Sequence, residues 1–298
     1  MTPQRAAITL TKILDARDGV DRFDRAPVDP EWLALNYSAQ VFSNEPIVVV
    51  KGEALDGCVG ALVFGETKPR RWGILYDERQ DPRRRNFTVA HELGHYLLHR
   101  GMIEETTPDG LYCSEADVEQ GRGSTAIEKE ADLFAATLLM PLHDFRKQLG
   151  PKARADFTVL GRLADRYGVS LTAVIHRWLD YTETRAMVVI SNEGFALWAR
   201  SSSAAFRSGR FIRTRNAMFE LPETSIARSR LASTPGVMSV TQPVGAWFDE
   251  PVLETSLRAS RLDQEITLLQ LDASYDEIPD EPVPDLVDRL AEPHSRAR

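Results

Sequence analysis

Hydrophobic and polar residues alternate along this chain in blocks of different period. Residues 7–16 can form a short helix, and Asp29-Pro30-Glu31-Trp32-Leu33 marks a second helix start, with Asp29 as N-cap and Pro30 in the first turn. The pattern then shifts to β-branched and aromatic runs at Ile47–Val50, Cys58–Phe64 and Trp72–Tyr76, separated by turns with glycine or charge, which predict three strands of a small sheet. A helix follows, capped by Asn86, filled by Phe87 to His99 and ended by Gly101. The polar stretch 101–123 reads as a loop. Thr125 opens another helix that runs to Met140, ahead of Pro141, and residues 156–181 hold two more helical segments. Beyond Thr184, Met187–Ile190 and Phe195–Ala199 flank Ser191-Asn192-Glu193-Gly194, a hairpin signal. No internal repeat is apparent.

This order predicts an α+β fold. A small mixed or antiparallel sheet packs on the helix that holds His91 and on further helices, a helix-turn-helix-like segment follows, and a small strand-containing domain comes last. The expected divisions are residues 1–150, 151–184, 185–273 and an acidic tail, 274–298, whose prolines, acids and few aromatics match a disordered segment.

With 298 residues and 43% hydrophobic content, the chain can bury an ordinary core. Its formal net charge of -8 argues against a protein that coats nucleic acid by bulk attraction, though it leaves room for a local basic patch. The two cysteines, Cys58 and Cys113, lack metal-ligand pair spacing, so a structural zinc site built on thiolates is not expected. The N-terminal apolar stretch is broken by Lys12 and shows no small-residue cleavage pattern, and the apolar runs are too short to span a bilayer. A cytoplasmic protein without membrane partners is the expectation.

His91-Glu92-Leu93-Gly94-His95 is an HExxH motif. On a helix, residues four apart share a face, so both imidazoles reach one ion, while Glu92 is turned by about 100° and lies beside that ion as a base. Zinc lowers the pKa of bound water to about 7, which prepares it to attack a peptide carbonyl. Two imidazoles and a carboxylate suit Zn2+ better than Mn2+.

The third ligand is expected on the helix from Thr125. There Ile127, Ala131, Phe134, Ala135, Leu138 and Leu139 form an apolar arc, with Glu128 inside it and Glu130 at its margin. A carboxylate on a buried face needs a partner, and a metal supplies one. Asp132, one turn on, could orient a ligating imidazole. The competing reading makes Glu128 a helix cap, because Thr125-Ala126-Ile127-Glu128 fits a capping box. A metzincin site is excluded, since positions 98 and 101 are Leu98 and Gly101, and His99 reads as a helix-end residue. Tyr96 and His99 are candidates for stabilising an oxyanion, and Tyr96 could equally pack on the sheet.

The run from Arg85 to His99, followed by Glu128-Lys129-Glu130-Ala131-Asp132-Leu133-Phe134-Ala135-Ala136-Thr137-Leu138-Leu139-Met140-Pro141, resembles the ImmA/IrrE family of metallopeptidases over about residues 40–180. The resemblance implies a zinc endopeptidase that cleaves helix-turn-helix repressors and so derepresses stress, DNA-damage or mobile-element genes. It places a ligand glutamate three residues before Ala131, at Glu128. It also implies an accessory helical unit and, in longer members, a C-terminal sensory module.

Leu160 to Trp178 has helix-turn-helix spacing, with Ala164 facing the second helix, Gly168 in the turn and Val174 packing back. Its second helix offers Ser170, Thr172, His176 and Arg177, a thin set for reading DNA. Arginines 200, 207, 210, 213, 215, 228 and 230 are interleaved with Phe206, Phe211 and Phe219, a pattern suited to single-stranded DNA as an activator, or to a solvated face. The alternatives to a repressor-cleaving protease are a DNA-binding regulator with a structural metal site and a toxin or defence protease with another protein substrate.

Overall fold

A computed structural model describes residues 1–107, 109–114, 125–214, 218–229, 236–259 and 264–272. The expected acidic tail, 274–298, lies outside the described residues. The chain divides into two compact units, Met1–Glu183 and Thr184–Arg298.

The first unit opens with α1 (Pro3–Asp18) and α2 (Pro30–Val41). Asp29 caps α2 as expected, accepting a hydrogen bond from the Trp32 amide. Four strands follow the order β1-β3-β2-β4, from β1 (Ile47–Glu53), β2 (Gly60–Phe64), β3 (Trp72–Asp77) and β4 (Leu111–Cys113). β1 runs parallel to β3, and the other pairs are antiparallel, which makes the sheet mixed. The long helix α3 (Pro82–Thr106) packs across β2 and β3. The mixed α+β architecture agrees with the sequence reading.

Two boundaries in this region differ from expectation. Asn86 does not start α3. Asp81 accepts a hydrogen bond from the Arg83 backbone amide with Pro82 at the first turn, and the Asn86 side-chain Nδ2 instead donates to the Gly168 carbonyl. Gly101 does not end the helix either. It faces open space, where a missing side chain costs the helix only its propensity of about 1 kcal/mol, and the helix continues to Thr106. The stretch read as one loop from 101 therefore contains a last helical turn and the edge strand β4. A three-residue strand is too short to leave a period in the sequence.

Helices α4 (Ala126–Leu139), α5 (Leu142–Gln148), α6 (Phe157–Tyr167) and α7 (Leu171–Tyr181) complete the unit. α1 and α3 both pack on α4. α6 ends at Gly168, left-handed at φ 61°, and Ala164 and Val174 are both buried. The second helix keeps little for a partner, because Ser170 caps it at the Ala173 amide and the buried Arg177 donates to the Met140 carbonyl.

The second unit is built on a six-stranded antiparallel sheet of order β7-β6-β5-β10-β9-β8. Its strands are β5 (Ala186–Asn192), β6 (Phe195–Ser201), β7 (Phe219–Glu220), β8 (Val237–Gln242), β9 (Val252–Ala259) and β10 (Gln264–Leu271). The expected hairpin joins β5 to β6, with Glu193 and Gly194 both at positive φ, as a tight right-twisted turn demands. Met187, Val189, Trp247, Val252 and Leu269 belong to its core. No described helix of either unit is long and apolar enough to cross a membrane.

One buried ion cluster ties α5 to α6. Arg166 donates twice to Asp144 at 2.8 Å, and the Tyr167 hydroxyl donates to the same carboxylate at 2.8 Å. Burial raises the Asp144 pKa, but Arg166 and Tyr167 outweigh it and hold the group below the ordinary value of 3.8. A lowered folded-state pKa stabilises the fold fully above 3.8, and that contribution fades as pH falls through the folded value. Asp144→Asn should cost about 3 kcal/mol at neutral pH, the lower end for breaking a buried pair, and the variant should lose less stability than wild type on acidification. Urea titrations at pH 7 and pH 3 check both expectations.

Candidate metal centre

The site is made where α3 and α4 cross. Position 94 must be glycine for this crossing, because a Cβ there would lie 2.9 Å from the Phe134 ring and 3.2 Å from the Ala131 Cα. That approach brings Glu128 and Asp132, one turn apart on α4, against His91 and His95, one turn apart on α3. All but Asp132 are buried.

Three polar atoms converge here. His95 Nε2 lies 2.9 Å from His91 Nε2, His91 Nε2 lies 3.1 Å from Glu128 Oε2, and His95 Nε2 lies 3.4 Å from the same oxygen. The other nitrogen of each ring is already engaged. His91 Nδ1 is 2.9 Å from Asp132 Oδ1, which assigns the proton to Nδ1. His95 Nδ1 is 3.1 Å from His99 Nδ1, and His99 Nε2 is 2.9 Å from Glu130 Oε2. With His99 donating to Glu130, His95 donates to His99, and both Nε2 lone pairs face the Glu128 carboxylate. Three acceptors pointing at one another call for a cation.

The electrostatics agree. Burial lowers the His91 pKa, but its hydrogen bonds to Asp132 and Glu128 prevail and lift it to about 10, so the site draws in a positive charge. Burial likewise lowers His95 to about 4 against the pull of Glu128, which leaves that ring neutral, as a ligand must be. Burial raises the Glu128 pKa, yet the two imidazoles outweigh it and hold the group well below the carboxylate range. Donor atoms about 2.0–2.1 Å from one ion in tetrahedral array lie about 3.3 Å apart, close to the three separations seen, so these residues fit a small divalent metal.

Glu92 lies outside this triangle. It is fully buried, neither oxygen has a hydrogen-bond partner at normal geometry, and Gly60 of β2 lies so close that a Cβ there would be 2.5 Å from Oε1. Burial raises Glu92 to about 7, opposed by His91 and by the Cys113 thiol.

The structure thus brings His91, His95 and Glu128 together and sets Glu92 beside them. Thr125 makes no side-chain cap hydrogen bond, so the capping-box alternative for this turn is not realised. Glu130 is half exposed and serves His99. Tyr96 packs between Phe42 and Trp72 and donates to the Glu45 carbonyl, a structural role in place of the oxyanion one. Sequence reasoning missed Cys113. This buried residue of β4 has its sulfur within 4.8 Å of the ligand atoms of His91, His95 and Glu128. Only the pairing of β4 with β2 reveals it, and a lone cysteine at no special spacing gave no signal.

A helix carrying HExxH, crossed closely by a second helix that adds a glutamate, is the arrangement of an HExxH metallopeptidase domain. Residues 60–179 match the family profile described as the IrrE N-terminal-like domain. Two curated relatives are named radiation response metalloprotease IrrE. The one from Deinococcus deserti is 33% identical over 122 residues, 40% of this chain and 40% of the relative. The one from Deinococcus radiodurans is 28% identical over 134 residues, 44% of this chain and 38% of the relative. The matched stretch of this chain is thus similar to the IrrE-type metalloproteases, and the chain spans about two-fifths of the length of these relatives.

If Glu128 is a ligand and Glu130 supports the ring behind His95, their amides should differ in effect. Glu128→Gln should nearly abolish binding of one metal per chain, whereas Glu130→Gln should weaken it by about tenfold, the lower end for an outer partner. Competition titrations against a chromophoric chelator rank the two. The reverse order would move the ligand to Glu130.

Proposed function

We propose that this chain is a zinc-dependent endopeptidase that cleaves a helix-turn-helix transcriptional repressor, with His91, His95 and Glu128 as metal ligands and Glu92 as the base. The observation that carries the reading is the pairing of a three-acceptor cluster with a separate buried carboxylate. A purely structural metal site has no use for Glu92, a carboxyl that is expensive to bury.

A zinc ion held by the cluster supplies Lewis acidity that polarises a carbonyl and acidifies water. The protein's own groups do the rest. Asp132, and Glu130 through His99, fix the two imidazoles in the tautomers that point Nε2 inward. Glu92 takes a proton from the attacking water and passes it to the leaving amine. A carboxyl raised to about 7 is suited to both transfers near neutral pH. Gly60 confines this side chain, since a Cβ at 60 would strike Glu92 Oε1. The repressor as substrate is supported by the family resemblance alone; the name of the Deinococcus relatives, radiation response metalloprotease, supports proteolysis.

Single-stranded DNA as an activator has narrower support. Phe206 is exposed and pairs with Phe211, over which the Arg213 guanidinium sits, and Arg207 is exposed beside it. Arg210 is committed elsewhere, to the buried Glu250 at 2.6 Å, while Arg215 and Arg230 lie outside the described residues. A salt-sensitive gel shift should therefore be lost in the Arg207→Ala/Arg213→Ala double variant, and absence of any shift at low salt would dispose of the activator.

The central test uses repressors encoded beside the gene, incubated with the protein with and without chelator. Glu92→Gln should fold and keep its metal but cleave at least about a hundredfold more slowly, the lower end for general acid–base catalysis. Wild-type cleavage by the metal-loaded variant would rule out the mechanism. Operator binding by both proteins without cleavage would favour the DNA-binding regulator.

A further inference from the structure

We propose that Cys113 is a fourth protein ligand of this metal site and that its attachment keeps the site closed and latent. The inference rests on the metal-site reading above and adds a regulatory state to it.

The Cys113 sulfur and the ligand atoms of His91, His95 and Glu128 all lie within 4.8 Å of one another, and all four residues are buried. The position follows from sheet register. Cys113 pairs with Gly60 across the β4–β2 ladder, and Gly60 is the residue against which Glu92 Oε1 rests. The edge strand thus lays a sulfur alongside both the base and the three-acceptor cluster. A buried cysteine is often no more than a small apolar filler. Here it lies beside imidazole nitrogens and carboxylates, among them the fully buried Glu92, whose pKa its thiol helps to lower.

The chemistry of such a set is specific. Thiolate is a strong, soft zinc ligand, and two histidines, a glutamate and a cysteine complete a four-coordinate shell. A shell of four protein ligands resembles a closed structural site, while catalysis needs one position open to water. Opening exchanges the sulfur for water, and the sulfur leaves as a thiol with a proton taken from solvent. The element that must yield is slight. β4 has three residues and, among the described residues, lies at the sheet edge, held by a single partner strand. A shift of this strand, imposed by a bound substrate or by another part of the chain, would withdraw the ligand without disturbing α3 or α4.

Cobalt makes the sulfur visible. The full chain is stripped of metal and loaded with Co2+, together with Cys113→Ser, Cys113→Ala and His91→Ala, each checked for folding by circular dichroism. Wild type should show the visible bands of four-coordinate cobalt and a near-ultraviolet sulfur-to-cobalt charge-transfer band. Both cysteine variants should keep bound cobalt but lose the charge-transfer band, and they should cleave substrate faster than wild type. His91→Ala should lose the cobalt. Cobalt bound by wild type without a charge-transfer band, or with one unchanged in the cysteine variants, would overturn the fourth ligand and leave the His91, His95 and Glu128 reading intact. A wild-type protein that binds no cobalt would overturn both. Loss of the charge-transfer band in the cysteine variants with no gain in cleavage rate would overturn the latent role.

Discussion

The centre depends on how closely α3 and α4 can approach. Helices usually pack with axes about 8–10 Å apart, the distance set by the side chains between them. Here the contact is a glycine against an alanine and a phenylalanine edge, and a single Cβ at position 94 would intrude to 2.9 Å. The same crossing sets the register of the chemistry. His91 and His95 are spaced by four on one helix, Glu128 and Asp132 by four on the other, so one close contact aligns two pairs at once. Gly94, between the two histidines in sequence, is thus as much a part of the site as its neighbours.

Burying this many ionisable groups is costly unless each is answered. The arrangement answers them in layers. Asp132 accepts from His91, and Glu130 holds His99, which accepts from His95. The inward faces then present only acceptors, and the field they create lifts His91 to about 10 when a proton is the available cation. A divalent metal answers the same field with neutral imidazoles. The fold therefore has a built-in preference between two ways of neutralising one cluster, which explains why metal affinity should fall with acidification, as protons compete for the same nitrogens.

Much of this was legible in the sequence because it lies within helices. The HExxH spacing places two imidazoles on one face, and the apolar arc of α4 marks Glu128 as a buried acid needing a partner. Both inferences need only the helical period. The hairpin at 191–194 was legible for a similarly local reason, since two successive residues at positive φ leave a sequence signature. What escaped depends on pairing between distant segments. β4 is known only through β2, and Cys113 acquires its neighbours only once that ladder forms. In the second unit, β9 carries Glu254 at a fully buried position, which breaks the apolar pattern of a strand. Its carboxylate is satisfied by Ser225, Gln242 and Trp247, and none of these partners is predictable from the strand itself.

The arginines of the second unit show the same limit applied to charge. As a run in the sequence they read as one basic stretch with one purpose. In the fold they divide according to where an acid waits. Arg210 meets Glu250, which Arg185 also grips through two hydrogen bonds of 2.8 and 2.7 Å, and Arg228 meets Glu220. These side chains neutralise acids that lie up to 65 residues away in the chain. Arg207 and Arg213 stay at the surface beside paired phenylalanines. Opposite charge distant in sequence thus separates structural arginines from those free to meet a ligand, and net charge along a segment cannot make that division.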